Sequence, residues 1–328
     1  MAETTTIEWT RNDDGTPGRT WNPVTGCTKI SAGCDNCYAE TIAERFRGHA
    51  AFPKGFDVQI RTTKVNDPLT WRKPTRIFVN SMSDLFHNEV DQHWIADIFA
   101  VMAAARRHTF QLLTKRHARM RSLLNDPVWI DEVRTRATGK GLPADQWQWP
   151  LPNLWLGVSV ENQQWADIRV PALAQTPAAV RFLSCEPLLG PVDVSEWLGD
   201  TDSDEPGMYR DGIHWVITGG ESGRKARPAH PDWFRSIRDQ CAAAGVAYFH
   251  KQNGEWTSRD AVDAEAKASA WDEKRVLYVH PADGRTQTHG QWGINDHLEG
   301  WACVQRVGKK NAGRELEGRT HDAFPATA

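Results

Sequence analysis

Cys27, Cys34 and Cys37 stand within eleven residues in the pattern C-x6-C-x2-C, preceded by Trp21-Asn22-Pro23-Val24-Thr25-Gly26 and followed by Tyr38-Ala39. Three thiolates on one short loop can face one metal centre. Three protein ligands, where a closed tetrahedral site uses four, leave a coordination position for a small molecule. An iron–sulfur cluster with one iron free of protein ligands asks for that arrangement. Gly26 and Gly33 let the backbone wrap closely, and Asp35-Asn36 suits the turn between Cys34 and Cys37. Three readings of the loop are open. A site-differentiated [4Fe–4S] cluster leads. A structural zinc ion comes second, with Cys185, Cys241, Cys303 or His49 as fourth ligand, although the second C-x2-C of a zinc ribbon is missing. Free thiols come third.

Other candidates for chemistry stand where apolar runs end. Asn80-Ser81-Met82-Ser83-Asp84, Thr114-Lys115-Arg116-His117, Ser159-Val160-Glu161-Asn162, Ser184-Cys185-Glu186-Pro187, Gly219-Gly220-Glu221-Ser222-Gly223 and His250-Lys251-Gln252-Asn253 each follow such a run. Gly219 and Gly220 would let backbone N–H groups approach a ligand, and Glu221 would accept from an amine or a ribose hydroxyl. Ser159, Glu161, Glu186, Asn80 and Lys115 complete the candidate cofactor-binding set. Asp84 and His87, near a strand end, read as a candidate acid–base pair. Arg116, Arg119 and Arg121 read as a solvated helix face, with contact to a phosphate backbone as the alternative. No G-x-S-x-G elbow and no G-x-x-x-x-G-K-[ST] phosphate loop occurs, so a serine hydrolase and a P-loop enzyme lose support.

These groups need a frame. Apolar runs predict strands at Arg76–Asn80, Thr109–Thr114, Leu154–Val160, Val180–Ser184, Ile213–Thr218 and Val246–His250, with a weaker seventh at Ile7–Trp9 or Trp21–Asn22. The runs are continuous rather than alternating, as in parallel strands covered on both faces. Helical spacing marks Tyr38–Arg47, Gln92–Arg107, Arg116–Leu123, Gln163–Gln175 and Pro231–Ala244. Strands that alternate with helices imply βαβ units, whose working residues gather at the C-terminal strand ends. Ala137–Asn153 and Ser195–Gly212 read as surface insertions, and Glu255–Ala328 as a polar C-terminal extension.

Composition sets outer limits. The chain has 328 residues, with 39 Lys and Arg against 42 Asp and Glu. Near-neutral charge excludes a histone-like nucleic-acid binder but not a local basic patch. No apolar run is long enough for a membrane helix, and the first residues lack the features of a signal peptide. Six cysteines in this length are too few for a disulfide scaffold, so a cytoplasmic location with reduced thiols is expected.

The cysteine loop, the strand ends, Lys251-Gln252-Asn253-Gly254 and Gly313-Arg314-Glu315-Leu316-Glu317-Gly318-Arg319-Thr320-His321 together resemble an uncharacterised phage and bacterial protein family, known by its three-Cys motif and radical-SAM-like. The resemblance implies a partial (β/α)6 TIM-like barrel over residues 1–254 and a C-terminal extension over 255–328. It implies a [4Fe–4S] cluster on Cys27, Cys34 and Cys37, with S-adenosylmethionine on the fourth iron. One electron from an electron donor such as flavodoxin or ferredoxin would then yield a 5′-deoxyadenosyl radical. Ser159, Glu161 and Glu186 would serve the methionine and ribose, and Gly219, Gly220 and Glu221 the adenosine or substrate side. A nucleobase or nucleic acid is the expected substrate. The alternative is a metal-stabilised, non-enzymatic binding protein that works with a protein partner.

Overall fold

The computed structural model describes residues 4–199, 212–258, 275–288 and 299–326. The expected acidic insertion lies largely outside the described residues, as does much of the C-terminal extension. The elements in chain order are β1 (Arg19–Trp21), β2 (Val24–Thr25), α1 (Tyr38–Arg45), β3 (Gln59–Ile60), α2 (Asp67–Thr70), β4 (Arg76–Val79), α3 (Gln92–Ala104), β5 (Thr109–Thr114), α4 (His117–Leu124) and α5 (Pro127–Gly139). Then come β6 (Leu154–Ser159), α6 (Gln163–Ala174), β7 (Val180–Cys185), β8 (Trp215–Gly219), α7 (Pro231–Ala243) and β9 (Ala247–Gln252). The chain continues through β10 (Trp256–Ser258), β11 (Val276–Val279), β12 (Thr286–Gln287) and β13 (Ala302–Arg306).

Seven strands form one sheet in the order β1-β4-β5-β6-β7-β8-β9. The fold is therefore α/β. The pairs β1·β4, β4·β5, β5·β6 and β8·β9 are parallel. Every residue of β4, β6, β7 and β8 is buried, which explains why those runs read as continuous apolar stretches. The weak seventh strand is Arg19–Trp21, while Glu8–Thr10 is a short 3-10 helix. With β1, the seven-stranded sheet holds one strand more than the six of a (β/α)6 barrel.

The chain divides into two compact units. Among the described residues, one comprises 4–159 and 169–182, the other 160–168, 183–199 and 212–326. In the first unit, the sequence pattern misses α5. Its start is nonetheless encoded: Asp126 caps it by accepting from the Val128 amide at 2.9 Å, and Pro127 occupies the first turn, where a missing N–H costs nothing. In the second unit, β10–β13 form a separate antiparallel sheet in the order β10-β13-β11-β12. The C-terminal tail of that unit covers the edge of β9. The His250 amide donates to the His321 carbonyl at 2.9 Å and the Ala323 amide to the Tyr248 carbonyl at 3.2 Å. Phe324 packs against Trp215 and Phe249. An open strand edge is thereby closed. No described helix is long and apolar enough to cross a membrane.

Candidate metal and cofactor site

The cysteine loop begins where β1 ends. Asn22 Oδ1 accepts from the Met82 amide at 3.0 Å and from Ser81 Oγ at 3.2 Å, so the ends of β1 and β4 are tied side by side. The Gly26 amide donates to the Met82 carbonyl and the Cys27 amide to the Phe56 carbonyl. Gly26 has φ +87°, and a Cβ there would stand 2.2 Å from the Asp57 carbonyl oxygen. Only glycine fits both conditions. Cys34 ends the 3-10 helix Ala32–Cys34, and Cys37 occupies the N-cap position of α1. Tyr38, the first residue of α1, donates its hydroxyl to the Ser81 carbonyl at 2.5 Å.

All three cysteines are free and half-buried. Their surroundings differ. Burial pushes the Cys27 thiol up to about 11, aided by the Asp84 charge and opposed by Arg116. Burial also raises Cys34, but the Lys115 charge and the Ile30 and Ser31 amides outweigh it, and the net direction is down. Burial raises Cys37 against the amides of Glu40 and Ala39. Cys34 interacts electrostatically with both Cys27 and Cys37. Among the described residues, no three His, Cys, Asp or Glu side chains are grouped closely enough to hold a single metal ion. A cubane cluster binds each thiolate through a different iron, so its sulfurs stand further apart than ligands that share one ion. The donor set fits such a cluster in type, number and accessibility: three free thiols on one loop, with two cations beside them.

Asp84 organises the wall of this site. Its Oδ1 accepts from Thr114 Oγ1 at 2.7 Å and the Phe86 amide at 3.0 Å, and its Oδ2 from the Lys115 amide at 3.0 Å. His87 Nδ1 accepts from the Glu89 amide at 3.2 Å, and its Nε2 meets Thr28 Oγ1 at 2.8 Å. Burial, then the Arg116 charge, holds His87 below its ordinary pKa. Asp84 and His87 thus spend their polar atoms on different partners, and the structure shows a scaffold where the sequence suggested an acid–base pair. Arg116 corrects a second expectation. It does not lie on a solvated helix face; its Nη2 stands 3.9 Å from Cys27 Sγ and 2.9 Å from Thr28 Oγ1. Position alone, two residues past a strand end, was the available signal.

Asn80, at the end of β4, is 2% exposed and has φ +59°. Neither its Oδ1 nor its Nδ2 has a hydrogen-bond partner. A buried carboxamide with both ends open costs stability. Ser159 is buried at the end of β6, with its carbonyl accepting from Arg169 Nη1 at 2.8 Å.

The remaining candidates lie in the second unit. Glu161 is fully buried, and its carbonyl accepts from the Leu189 amide at 2.7 Å. Glu186 pairs with Lys251, Oε1 to Nζ, at 3.1 Å. Gly219 ends β8 and Gly220 follows it. A Cβ on Gly219 would stand 2.3 Å from Glu186 Oε1, and one on Gly220 2.1 Å from the Asn253 carbonyl oxygen. The missing side chains admit protein atoms: a carboxylate and a neighbouring strand end. Glu221 is buried and bound by Arg227, with Oε1 to Nη2 at 2.6 Å and Oε2 to Nε at 2.9 Å and to the amide at 2.7 Å. The unit therefore brings Glu186, Gly219, Gly220 and Glu221 together with Lys251 and Asn253, two residues of the strand end His250-Lys251-Gln252-Asn253 that stand outside the expected cofactor-binding set.

No curated protein matches the sequence. Among solved structures, the chain is similar to a double mutant of spore photoproduct lyase with bound AdoMet and dinucleoside spore photoproduct. The identity is 10%, the coverage 88% of this chain and 68% of that one, and the TM-score 0.36. A complex of spore photoproduct lyase with dinucleoside spore photoproduct matches at 11% identity, covering 87% and 67%, with TM-score 0.34. A cysteine-to-serine mutant of the same lyase matches at 10% identity, covering 94% and 72%, with TM-score 0.38. The family described as "Protein of unknown function (DUF5131)" matches residues 4–325, and the chain belongs to that family.

Proposed function

We propose that the chain is an iron–sulfur enzyme of the radical SAM type. The observation that carries the reading is the set of three free, half-buried thiols on one loop, with Lys115 acting on Cys34 and Arg116 on Cys27. In this reading Cys27, Cys34 and Cys37 hold a [4Fe–4S] cluster and leave one iron for S-adenosylmethionine. When bound, the cluster would supply one electron to the sulfonium, delivered by a donor such as flavodoxin or ferredoxin, and so the 5′-deoxyadenosyl radical.

The chain's own residues bind and orient. Gly26, Asn22 and Met82 fix the start of the loop. Asn80 offers a buried donor and acceptor that the protein leaves unmatched. Thiol ligation requires that Cys27 and Cys37 lose protons which burial holds on them, so loading releases protons and improves as pH rises. In this reading the buried Ser159 and Glu161 would serve the methionine and ribose, whereas Glu186, Gly219, Gly220 and Glu221 are taken up by Lys251, Asn253 and Arg227.

The substrate in this reading is a nucleobase or nucleic acid. Tyr38 and Phe46 are 56% and 41% exposed on and just after α1, and Arg45 lies 5.6 Å over the Phe46 ring. Exposed rings beside a cation suit base stacking and phosphate neutralisation. The test is chemical. Reconstituted anaerobic protein, given a reductant and S-adenosylmethionine, should release 5′-deoxyadenosine, and more of it with oligonucleotide present. A protein that binds iron but yields none would defeat the enzymatic reading.

A further inference from the structure

Lys115 and Arg116 are consecutive, yet their side chains serve different cysteines. Arg116 Nη2 lies 3.9 Å from Cys27 Sγ, 3.2 Å from the Thr28 carbonyl oxygen and 2.9 Å from Thr28 Oγ1. Lys115 Nζ lies 3.4 Å from Ser31 Oγ, which stands 3.9 Å from Cys34 Sγ. One strand-end turn thus aims two adjacent cations at two ends of the loop.

That turn is itself fixed. Asp84 receives the Lys115 amide and the Thr114 hydroxyl, and Thr114 Oγ1 accepts from the Arg116 amide at 2.9 Å. Thr28 is held from its other side. Because His87 Nδ1 accepts from Glu89, the ring proton sits on Nε2 and donates to Thr28 Oγ1. Arg119 donates to the carbonyls of His87 and Val90 and steadies the segment that carries the imidazole. Arg116 Nε is buried without a hydrogen-bond partner, which leaves a donor for an acceptor the chain does not supply.

We propose that Arg116 is a positioning residue of the cysteine loop, which clamps Cys27-Thr28 and sets one fixed positive charge against the Cys27 sulfur. The electrostatic half of this inference rests on the cluster reading above. Reduction adds negative charge to a cluster, and a nearby cation or N–H donor to a ligating sulfur stabilises the reduced form. Arg116 would then raise the reduction potential. A merely solvated arginine would do neither.

Two measurements test the proposal. In metal-free protein, amide hydrogen exchange of the loop from Cys27 to Cys37 should quicken roughly tenfold in Arg116→Gln, as loss of bonds from a charged donor lets the loop open. Arg121→Gln, whose guanidinium pairs with Gln175, should leave the loop unchanged. In anaerobically reconstituted protein at equal iron content, Arg116→Gln should shift the midpoint potential to a more negative value, and Arg116→Lys should recover most of the shift. Unchanged loop exchange in the Gln variant would overturn the clamp. An unchanged potential, a positive shift, or a Lys variant that recovers nothing would overturn the electrostatic half. Wild-type protein that takes up no iron, while its exchange responds as expected, would sink the proposed function and the electrostatic half and leave the clamp standing.

Discussion

The cysteine loop and the Gly-Gly-Glu turn are both short, glycine-bearing segments at strand ends, and they are built in opposite ways. In the loop, backbone contacts hold the ends while the functional atoms stay half-buried: three free sulfurs and two cations directed at them. In the turn, the functional atoms are consumed. Glu221 gives both oxygens to Arg227, Glu186 pairs with Lys251, and the room left by Gly219 and Gly220 is filled by Glu186 and Asn253. A glycine pair after a strand can thus mean close packing of protein on protein as readily as room for a ligand. The distinction lies in what a Cβ would strike.

If that contrast is right, substitutions in the turn should cost stability and those of the three loop cysteines should not. The largest effect is expected at Gly220→Ala, where the new Cβ meets backbone at 2.1 Å. Denaturant unfolding should show a loss of about 3 kcal/mol. Gly219→Ala meets only the far end of Glu186 and should lose about 1 kcal/mol. Equal losses at the two positions would break the packing explanation.

Next come the buried polar groups of the second unit. His250 is fully buried, with Nδ1 2.9 Å from Thr218 Oγ1 and Nε2 2.9 Å from Asn253 Oδ1. Burial pulls its pKa down from 6.5 to about 4. The unfolded chain then binds the extra proton between those values, so stability is full above about 6.5 and falls as pH drops towards 4. Between pH 7 and pH 5 the loss should be about 2 kcal/mol. His250→Gln should remove about that much of the pH dependence and leave the share of His87, His108, His117, His230 and His321, which burial also holds down; an unchanged slope would contradict the role of His250. Glu221→Gln leaves the Arg227 fork half-answered and should cost about 2 kcal/mol by the same unfolding measurement.

The smallest effect sharpens the comparison from the other side. Replacing Cys27, Cys34 and Cys37 together by Ala should change the stability of metal-free protein by less than about 1 kcal/mol. A large loss would make the thiols packing residues and erase the contrast.

The sequence was most legible where burial is complete. Thr109–Thr114 and Val180–Cys185 were read within a residue of the observed strands, because strands covered on both faces write unbroken apolar runs. It was least legible where local signals are weak or contacts are distant. The buried residues of α5, Trp129, Val133 and Ala137, keep a spacing of four, but Val128, 78% exposed, and Ile130 put apolar side chains off that face and blur the helical period. The antiparallel sheet of β10–β13 joins segments almost fifty residues apart, a pairing that spacing does not reveal. In the site, the thiols announced themselves by spacing alone. Arg116 did not: its 3.9 Å approach to Cys27 spans 89 residues of chain and depends on the Asp84 and Thr114 bonds that turn it inward.

The most direct test of the central claim is metal analysis of anaerobically purified protein beside the variant with alanine at positions 27, 34 and 37. The account expects a brown wild-type protein with about four irons per chain and a colourless, iron-free variant. A colourless wild-type protein carrying one zinc per chain, or a variant that keeps its iron, would contradict it.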